Sequence, residues 1–132
     1  MLPIPLITAD NEAFWTGGRD GRLLIARCSD CGSYSHPPTP RCSACFGQNV
    51  GPVPVSGRGR VHSFTVNRQQ WSPELEVPYV IAIVELDEDP AVRIFSNIVG
   101  CPADEVVIGM PVEVEFVHRG DAFLPVFRPV DA

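Results

Sequence analysis

Two closely spaced pairs of cysteines constrain the fold of this chain more than any other feature. Each pair has the pattern Cys-x-x-Cys, and ten residues separate the two pairs, so a short loop can present four sulfurs to one ion. Four thiolates at this spacing are typical of a zinc ribbon, in which the Zn–S distance is about 2.3 Å. The predicted metal ligands are Cys28, Cys31, Cys42 and Cys45.

Zinc is the predicted cofactor, and two other interpretations of these cysteines stay open. Iron in a rubredoxin-like site is the closer rival, and two disulfides are the more distant one. A glycine follows each pair, at Gly32 and Gly47, where it is expected to let the backbone turn and direct amide hydrogens at the sulfurs. A site with four protein thiolates has no open position for water or substrate, so the ion is expected to stabilise folding and not to catalyse hydrolysis.

His36 and Cys101 are candidates for a metal ligand and a nucleophile, and for each a structural role is the better interpretation. His36 lies between the cysteine pairs, and because four thiols already complete the ligand set it is predicted to lie near the metal and not on it. Cys101 has no histidine beside it in the sequence, so a turn residue is a better interpretation than a nucleophile.

The charge balance bears on the class of ligand. Sixteen acidic residues face ten basic ones, for a formal net charge of −6. Nucleic-acid-binding modules are usually basic, because phosphate neutralisation supplies much of their affinity. All ten basic residues are arginine, which excludes Schiff-base chemistry on lysine.

The sequence also predicts a cytoplasmic protein. It has no apolar run of the length that a membrane span needs, and residues 1–6 lack the basic region of a signal peptide. A reducing cytosol keeps thiols free to bind metal.

A short helix is expected before the first cysteine pair, from residue 8 to residue 15. Thr8 or Asp10 can cap it, and the glycines at 17 and 18 can end it. Its large side chains, Phe14 and Trp15, either pack on the body of the protein or anchor a partner, since aromatic residues are enriched in cores and in interfaces.

From residue 56 onward the sequence is typical of short strands separated by turns. Val112, Val114 and Phe116 alternate with glutamates, which predicts a strand with one apolar face. Five strands in about seventy residues favour a closed OB-fold barrel over a two-sheet sandwich, which usually needs about seven. The predicted strands are 60–69, 79–86, 91–99, 112–118 and 122–128.

The predicted fold is therefore mainly β. Residues 1–55 are expected to form a short N-terminal helix and a rubredoxin-like zinc ribbon, and residues 56–132 a five-stranded OB-fold barrel. The prolines at 37, 38 and 40 exclude a helix between the cysteine pairs.

Positive charge concentrates where the barrel begins. Even spacing along one strand is expected to place Arg58, Arg60, His62 and Phe64 on a single face, with Arg68 further along. Arginine forks suit phosphate oxygens, and Phe64 or Trp71 can stack on a purine, so these residues suit a phosphorylated cofactor such as coenzyme A. An equal interpretation is a solvated face whose cations pair with carboxylates on neighbouring strands.

No catalytic constellation is visible in the sequence. The three histidines are scattered, no Ser/His/Asp group can be argued, and Gly57-Arg58-Gly59 has too few glycines for a phosphate loop. The sequence therefore predicts a protein without catalysis of its own.

The order of these features resembles the zinc-ribbon/OB-fold proteins associated with acyl-CoA metabolism, a family long catalogued as a domain of unknown function. The resemblance covers nearly the whole chain, and the acidic turn at residues 87–90 departs from it where relatives often have glycine. The matching motifs are Phe14-Trp15, Gly21-Arg22-Leu23, both cysteine pairs with Pro37-Pro38, Ser56-Gly57-Arg58-Gly59, Ser63-Phe64-Thr65-Val66, Pro78-Tyr79, Ile108-Gly109-Met110-Pro111-Val112 and Leu124-Pro125-Val126-Phe127.

The resemblance implies a non-catalytic accessory subunit that binds zinc and an acyl-CoA. It implies a hetero-oligomer with a thiolase-like (condensing or retro-aldol) or acyl-CoA hydratase subunit, with Phe14 and Trp15 as candidate docking residues. The implied coenzyme A contacts are Arg58, Arg60, His62, Phe64 and Arg68. The alternative is a single-stranded nucleic-acid-binding OB-fold, which the same side chains can serve and which the net acidity disfavours.

Overall fold

Strands make up most of the regular secondary structure in this computed structural model, which describes residues 4–73 and 75–130. The outer limits of the predicted segments, at residues 1 and 132, lie outside these ranges. Short 3₁₀ turns occur at Gly17–Asp20 and Ala103–Glu105. In chain order the other elements are α1 (Glu12–Thr16), β1 (Leu23–Cys28), β2 (Tyr34–Ser35), β3 (Val50–Val55), β4 (Arg58–Asn67), β5 (Tyr79–Leu86), β6 (Asp89–Ile98), β7 (Pro111–Arg119) and β8 (Ala122–Pro129).

The N-terminal helix is shorter than the predicted span of residues 8–15. Asn11 explains the difference, because its side chain accepts a hydrogen bond from the Thr8 amide (2.7 Å) and donates one to the Leu6 carbonyl (3.2 Å). Asparagine side chains that bond to nearby backbone in this way favour turns over helix. The prediction that Thr8 or Asp10 caps the helix is therefore wrong, and Asn11 occupies the cap position without a side-chain capping bond.

The ribbon is a three-stranded antiparallel sheet in the order β2-β1-β3. The register of β1 against β3 runs from Leu23 opposite Val55 to Cys28 opposite Val50. The first cysteine, Cys28, is therefore the last residue of β1. The second cysteine pair lies in the connection between β2 and β3.

The second part is a closed five-stranded barrel in the order β4-β5-β6-β8-β7, with β4 paired to β7. All pairings are antiparallel except that between β6 and β8. This topology confirms the predicted OB-fold.

None of the described helices is long and apolar enough to cross a bilayer.

The ribbon and the barrel share one hydrophobic core. Phe14, Leu23 and Ile25 belong to the same buried cluster as the inward-facing side chains of the barrel. Val112 lies in this cluster and Val114 and Phe116 pack against it, as the alternation predicts. The division that the sequence predicts at residues 55 and 56 stays a prediction.

Two glycines account for the Ser-Gly-Arg-Gly junction between β3 and β4. Gly57 has a φ of +77°, and a β-carbon there would lie 2.4 Å from a Val114 methyl. A β-carbon on Gly59 would lie 2.2 Å from the Glu85 carbonyl oxygen, so β4 can approach β5 only without a side chain. Glu88, from the acidic turn, accepts hydrogen bonds from the amide and hydroxyl of Ser56.

A bulge in β4 changes which side chains share a face. The pairing of β4 with β5 shifts between Val61 and Ser63, so the alternation reverses after His62. Phe64 consequently packs against the core, while Arg58 is exposed on the outside. The prediction that Phe64 lies on the same face as Arg58 and His62 is therefore wrong.

Candidate metal centre and ligand-binding face

The four cysteines of the two pairs come together at the end of the ribbon. Their Sγ atoms all lie within 4.8 Å of one another, and the thiols are free. Cys28 and Cys42 are buried, whereas Cys31 and Cys45 are exposed. The sulfurs of Cys28 and Cys45 are 3.6 Å apart, and those of Cys31 and Cys42 are 3.5 Å apart.

These separations fit one tetrahedral ion. A Zn–S distance of about 2.3 Å places the sulfurs of a tetrahedron roughly 3.8 Å apart. The S–S bond of a disulfide is about 2.05 Å long, so these longer separations do not match the interpretation as two disulfides. Among the described residues the group of possible metal ligands contains no histidine, which leaves His36 outside it.

The two cysteine knuckles have matching backbones. The amides of Gly32 and Phe46 donate to the carbonyls of Cys28 and Cys42, at 2.8 and 2.9 Å. Both residues lie in the left-handed region, with φ of 80° and 62°. Phe46, and not the predicted Gly47, therefore makes the left-handed turn of the second knuckle, while the Gly47 backbone donates to the Cys45 sulfur as predicted.

The thiols of the cluster differ in acidity. Hydrogen bonds with the side chain and then the backbone of Ser33 lower the pKa of Cys31 to about 6. The Gly47 backbone favours the thiolate of Cys45, but hydrogen bonds with the neighbouring sulfurs outweigh it and raise the pKa of Cys45 to about 12. A cation among the sulfurs would favour the thiolate form of all four, which is the form that zinc binds.

The two other candidate side chains lie against apolar groups. The ring of His36 is 4.7 Å from that of Phe14, its buried Nδ1 has no hydrogen-bond partner among the described residues, and burial lowers its pKa. Cys101 packs against the core, and burial together with the charge of Glu105 raises its pKa. A raised pKa reduces the thiolate fraction, so Cys101 does not have the environment of an activated nucleophile.

Arg58 and His62 of β4 have carboxylate partners on neighbouring strands. Arg58 lies 3.8 Å from Glu113 of β7, and His62 Nδ1 lies 2.7 Å from Glu85 of β5. These contacts match the cross-strand interpretation of the charged face.

The remaining two cations of this group have different surroundings. Arg68 forms an ion pair of 2.9 Å with Asp104, and both side chains are exposed. Arg60 donates to the Gly109 carbonyl at 3.0 Å, and no ion pair joins it to a carboxylate in the described part of the chain. Trp71 is 72% exposed, and its indole donates to Asn67.

The two aromatic residues of α1 have separate environments. Phe14 is only 5% exposed, and its ring contacts Trp15 edge-on at 4.8 Å. This burial matches the packing interpretation of Phe14, and its docking role stays a prediction. Trp15 is half-buried and lines a surface cavity of about 240 Å³ with Phe95 and Pro125, so its docking role stays a prediction.

A cysteine ribbon followed by an OB-fold barrel defines the class of zinc-ribbon/OB-fold proteins. Residues 15–51 match the family model described as "ChsH2, rubredoxin-like zinc ribbon domain", and residues 52–117 match "ChsH2, C-terminal OB-fold domain". The chain belongs to this ChsH2 family, also named DUF35, which confirms the resemblance drawn from the sequence.

Relatives of the chain are named as parts of enzymes. A probable enoyl-CoA hydratase alpha subunit of Thermomonospora curvata is 38% identical over 98% of this chain and 40% of its own length. The benzoylsuccinyl-CoA thiolase subunit BbsA of Thauera aromatica is 33% identical over 64% of this chain and 57% of its own. This chain therefore spans about two fifths of the hydratase subunit and somewhat over half of the thiolase subunit.

A solved structure shows the same arrangement of ribbon and barrel. A chain of the structure titled "Ltp2-ChsH2(DUF35) aldolase" superposes with a TM-score of 0.84 at 40% identity, over 96% of this chain and 98% of that one. This chain is thus similar along nearly its whole length to a protein in an aldolase structure.

Proposed function

We propose that this protein is a non-catalytic accessory subunit of an enzyme that acts on acyl-CoA thioesters. Its partner is a thiolase-like (condensing or retro-aldol) or acyl-CoA hydratase subunit. Family membership across both ribbon and barrel carries the proposal, because the relatives are named as subunits of a hydratase, a thiolase and an aldolase. The scattered histidines and the closed set of four thiols support an accessory role, since neither offers a site for chemistry.

The cysteine cluster binds zinc in this proposal. Its four sulfurs have the spacing and the ligand type of a structural site. The ion joins two loops of the ribbon that share no strand pairing, and so fixes the end of the molecule that carries Phe46.

The outer face of β4 is the proposed contact for coenzyme A. Arg60 is the best-placed residue, because its guanidinium has no ion pair to a carboxylate within the described chain. Ligand phosphates replace the carboxylates beside Arg58, His62 and Arg68, and Trp71 takes the stacking role, because the bulge turns Phe64 inward.

Recovery of the partner tests the accessory role. The tagged full chain is purified from its native host, and its companions are identified by mass spectrometry. We expect a thiolase-like, aldolase or hydratase subunit that has low activity alone and full activity after the purified chain is added. Turnover of a thioester by the chain alone, or no such enzyme among the companions, contradicts the proposal.

Binding of coenzyme A is tested separately by calorimetry on the chain and on its complex. Arg60→Ala is expected to weaken binding by about tenfold, the loss of one charge-assisted phosphate contact, while Arg22→Ala serves as the exposed control. A steep salt dependence with an oligonucleotide, and no binding of coenzyme A, supports the nucleic-acid alternative instead.

A further inference from the structure

A phenylalanine occupies a position in the second metal knuckle that favours glycine. Phe46 has a φ of 62°, where the β-carbon of an L-residue crowds the following carbonyl. The equivalent residue of the first knuckle is Gly32, and the amides of both donate to the first cysteine of their knuckle. The chain therefore forms the same backbone turn once with glycine and once with phenylalanine.

The ring of Phe46 contributes little to the packing of its own chain. It is 73% exposed, whereas the core ring of Phe127 is fully buried. Phe46 is absent from the core and from the aromatic pairs that the described residues form. The isolated chain thus carries the cost of a left-handed phenylalanine without a matching internal contact, which is a feature that functional surfaces show.

A positive side chain lies next to this ring. Arg41 donates to the Phe46 carbonyl at 3.2 Å, and none of the ion pairs among the described residues includes it. Phenylalanine and arginine are both enriched in protein–protein interfaces over the rest of the surface. A partner that covers this pair must offer an apolar pocket with acidic groups beside it.

We infer that Phe46 is an anchor that inserts into such a pocket on the enzyme subunit of the complex. The inference rests on the proposed function, because it names one contact within that complex. The knuckle fixes the backbone of Phe46, since its amide donates to the Cys42 carbonyl and the residue directly follows Cys45 of the cysteine cluster. An anchor whose backbone is fixed before association loses less conformational entropy on binding.

Three variants of the full, metal-loaded chain separate this role from a structural one. Phe46→Gly and Phe46→Asn both suit a left-handed backbone and lack the apolar ring, whereas Phe46→Tyr keeps the ring. The binding probe is the enzyme subunit that copurifies with the wild-type chain. We expect Gly and Asn to keep the metal content and to hold or raise the Tm, while their affinity for the enzyme falls about tenfold or more. Tyr is expected to bind within about threefold of wild type.

Two results overturn the inference. If the Gly and Asn variants bind the enzyme subunit with wild-type affinity, Phe46 is not part of the interface. If these variants lose metal or show a clear drop in Tm, the ring stabilises its own knuckle. The copurification with the wild-type chain comes first and tests the proposed function by itself. If it recovers no enzyme subunit, it overturns the proposed function together with this contact.

Discussion

The four cysteine sulfurs are positioned to act as one unit, because a single cation among them would bind all four. Without an ion, hydrogen bonds with Ser33 lower the pKa of Cys31 to about 6, whereas at Cys45 the effect of the Gly47 backbone is outweighed by hydrogen bonds with neighbouring sulfurs, which raise its pKa to about 12. A divalent ion removes the conflict between neighbouring negative charges, so folding of the ribbon and metal binding are coupled.

Removal of one thiol is expected to disable the site. Mutation of a residue that only hydrogen-bonds to a metal ligand lowers metal affinity by about 10–100-fold. Cys31→Ser removes a ligand itself, so it is expected to lower metal affinity by more than this and to lower the Tm. Elemental analysis and thermal melting measure the two effects. Cys101→Ser is the control and retains the metal. Full metal content in Cys31→Ser shows that the ligand assignment is wrong.

His36 is expected to make stability depend on pH. Burial lowers its pKa in the folded state, so below about pH 6.5 the unfolded chain takes up a proton that the folded chain does not. Stability therefore falls as the pH falls through this window. His36→Phe removes the titrating group and keeps a ring beside Phe14. In urea unfolding, the free energy of unfolding of the variant relative to that of wild type is therefore expected to increase as the pH falls from 7.5 to 5.5. Acid loss of metal affects both proteins and cancels in the difference, and a constant difference contradicts the prediction.

Single elements owe their positions to a few contacts with the core. The short α1 has no side-chain cap, and an isolated helix of five residues is unstable in water, so its packing holds it in place. Gly18, in the turn after it, lies so close to the barrel that a β-carbon there would be 2.5 Å from the Phe116 ring. Tertiary contacts, more than helix propensity, therefore decide where the N-terminal segment lies.

Truncation of Phe14 tests this dependence. Phe14→Ala is expected to lower the free energy of unfolding by about 3–5 kcal/mol, the usual cost of deleting a buried aromatic side chain. Chemical denaturation measures the loss. Glu12→Ala, on the exposed side of α1, is the control and is expected to change stability by no more than about 0.5 kcal/mol. A loss for Phe14→Ala as small as that of the control means that the helix does not support the core.

At the level of the whole molecule, the shared core joins the metal centre to the barrel. Leu23 and Ile25 lie in the strand that ends at Cys28, and both belong to the cluster that fills the barrel. Loss of order at the cysteines can therefore spread along β1 into the core of the second part.

Metal removal is expected to destabilise both parts of the chain together. A ligand that binds only the folded state adds about 4 kcal/mol when present at a thousandfold excess over its dissociation constant, and a chelator removes that term. Calorimetry is expected to show one transition at a lower Tm, and hydrogen exchange is expected to accelerate in β5 as well as in β1. Exchange that accelerates only in residues 15–51 shows instead that the ribbon and the barrel unfold as separate units.

Local patterns predict much of this architecture, and the errors occur where one residue changes the register. All five barrel strands lie within two residues of the spans predicted from their apolar residues and the turn residues between them. The bulge at His62 is one extra residue with no distinctive composition, so even spacing wrongly places Phe64 on the charged face. The left-handed Phe46 has no sequence signal either, because the pattern of the chain points to the glycine beside it.

The sequence by itself determined the metal ligands that the chain can offer, the ribbon-then-barrel order and the family. These depend on residue types at short spacings, which local geometry controls. Only the tertiary structure decided that Phe14 is buried, that Arg58, His62 and Arg68 have carboxylate neighbours and that Phe46 is exposed. Such facts depend on pairs of residues distant in the chain, and their contact is set by how the sheets close around one core.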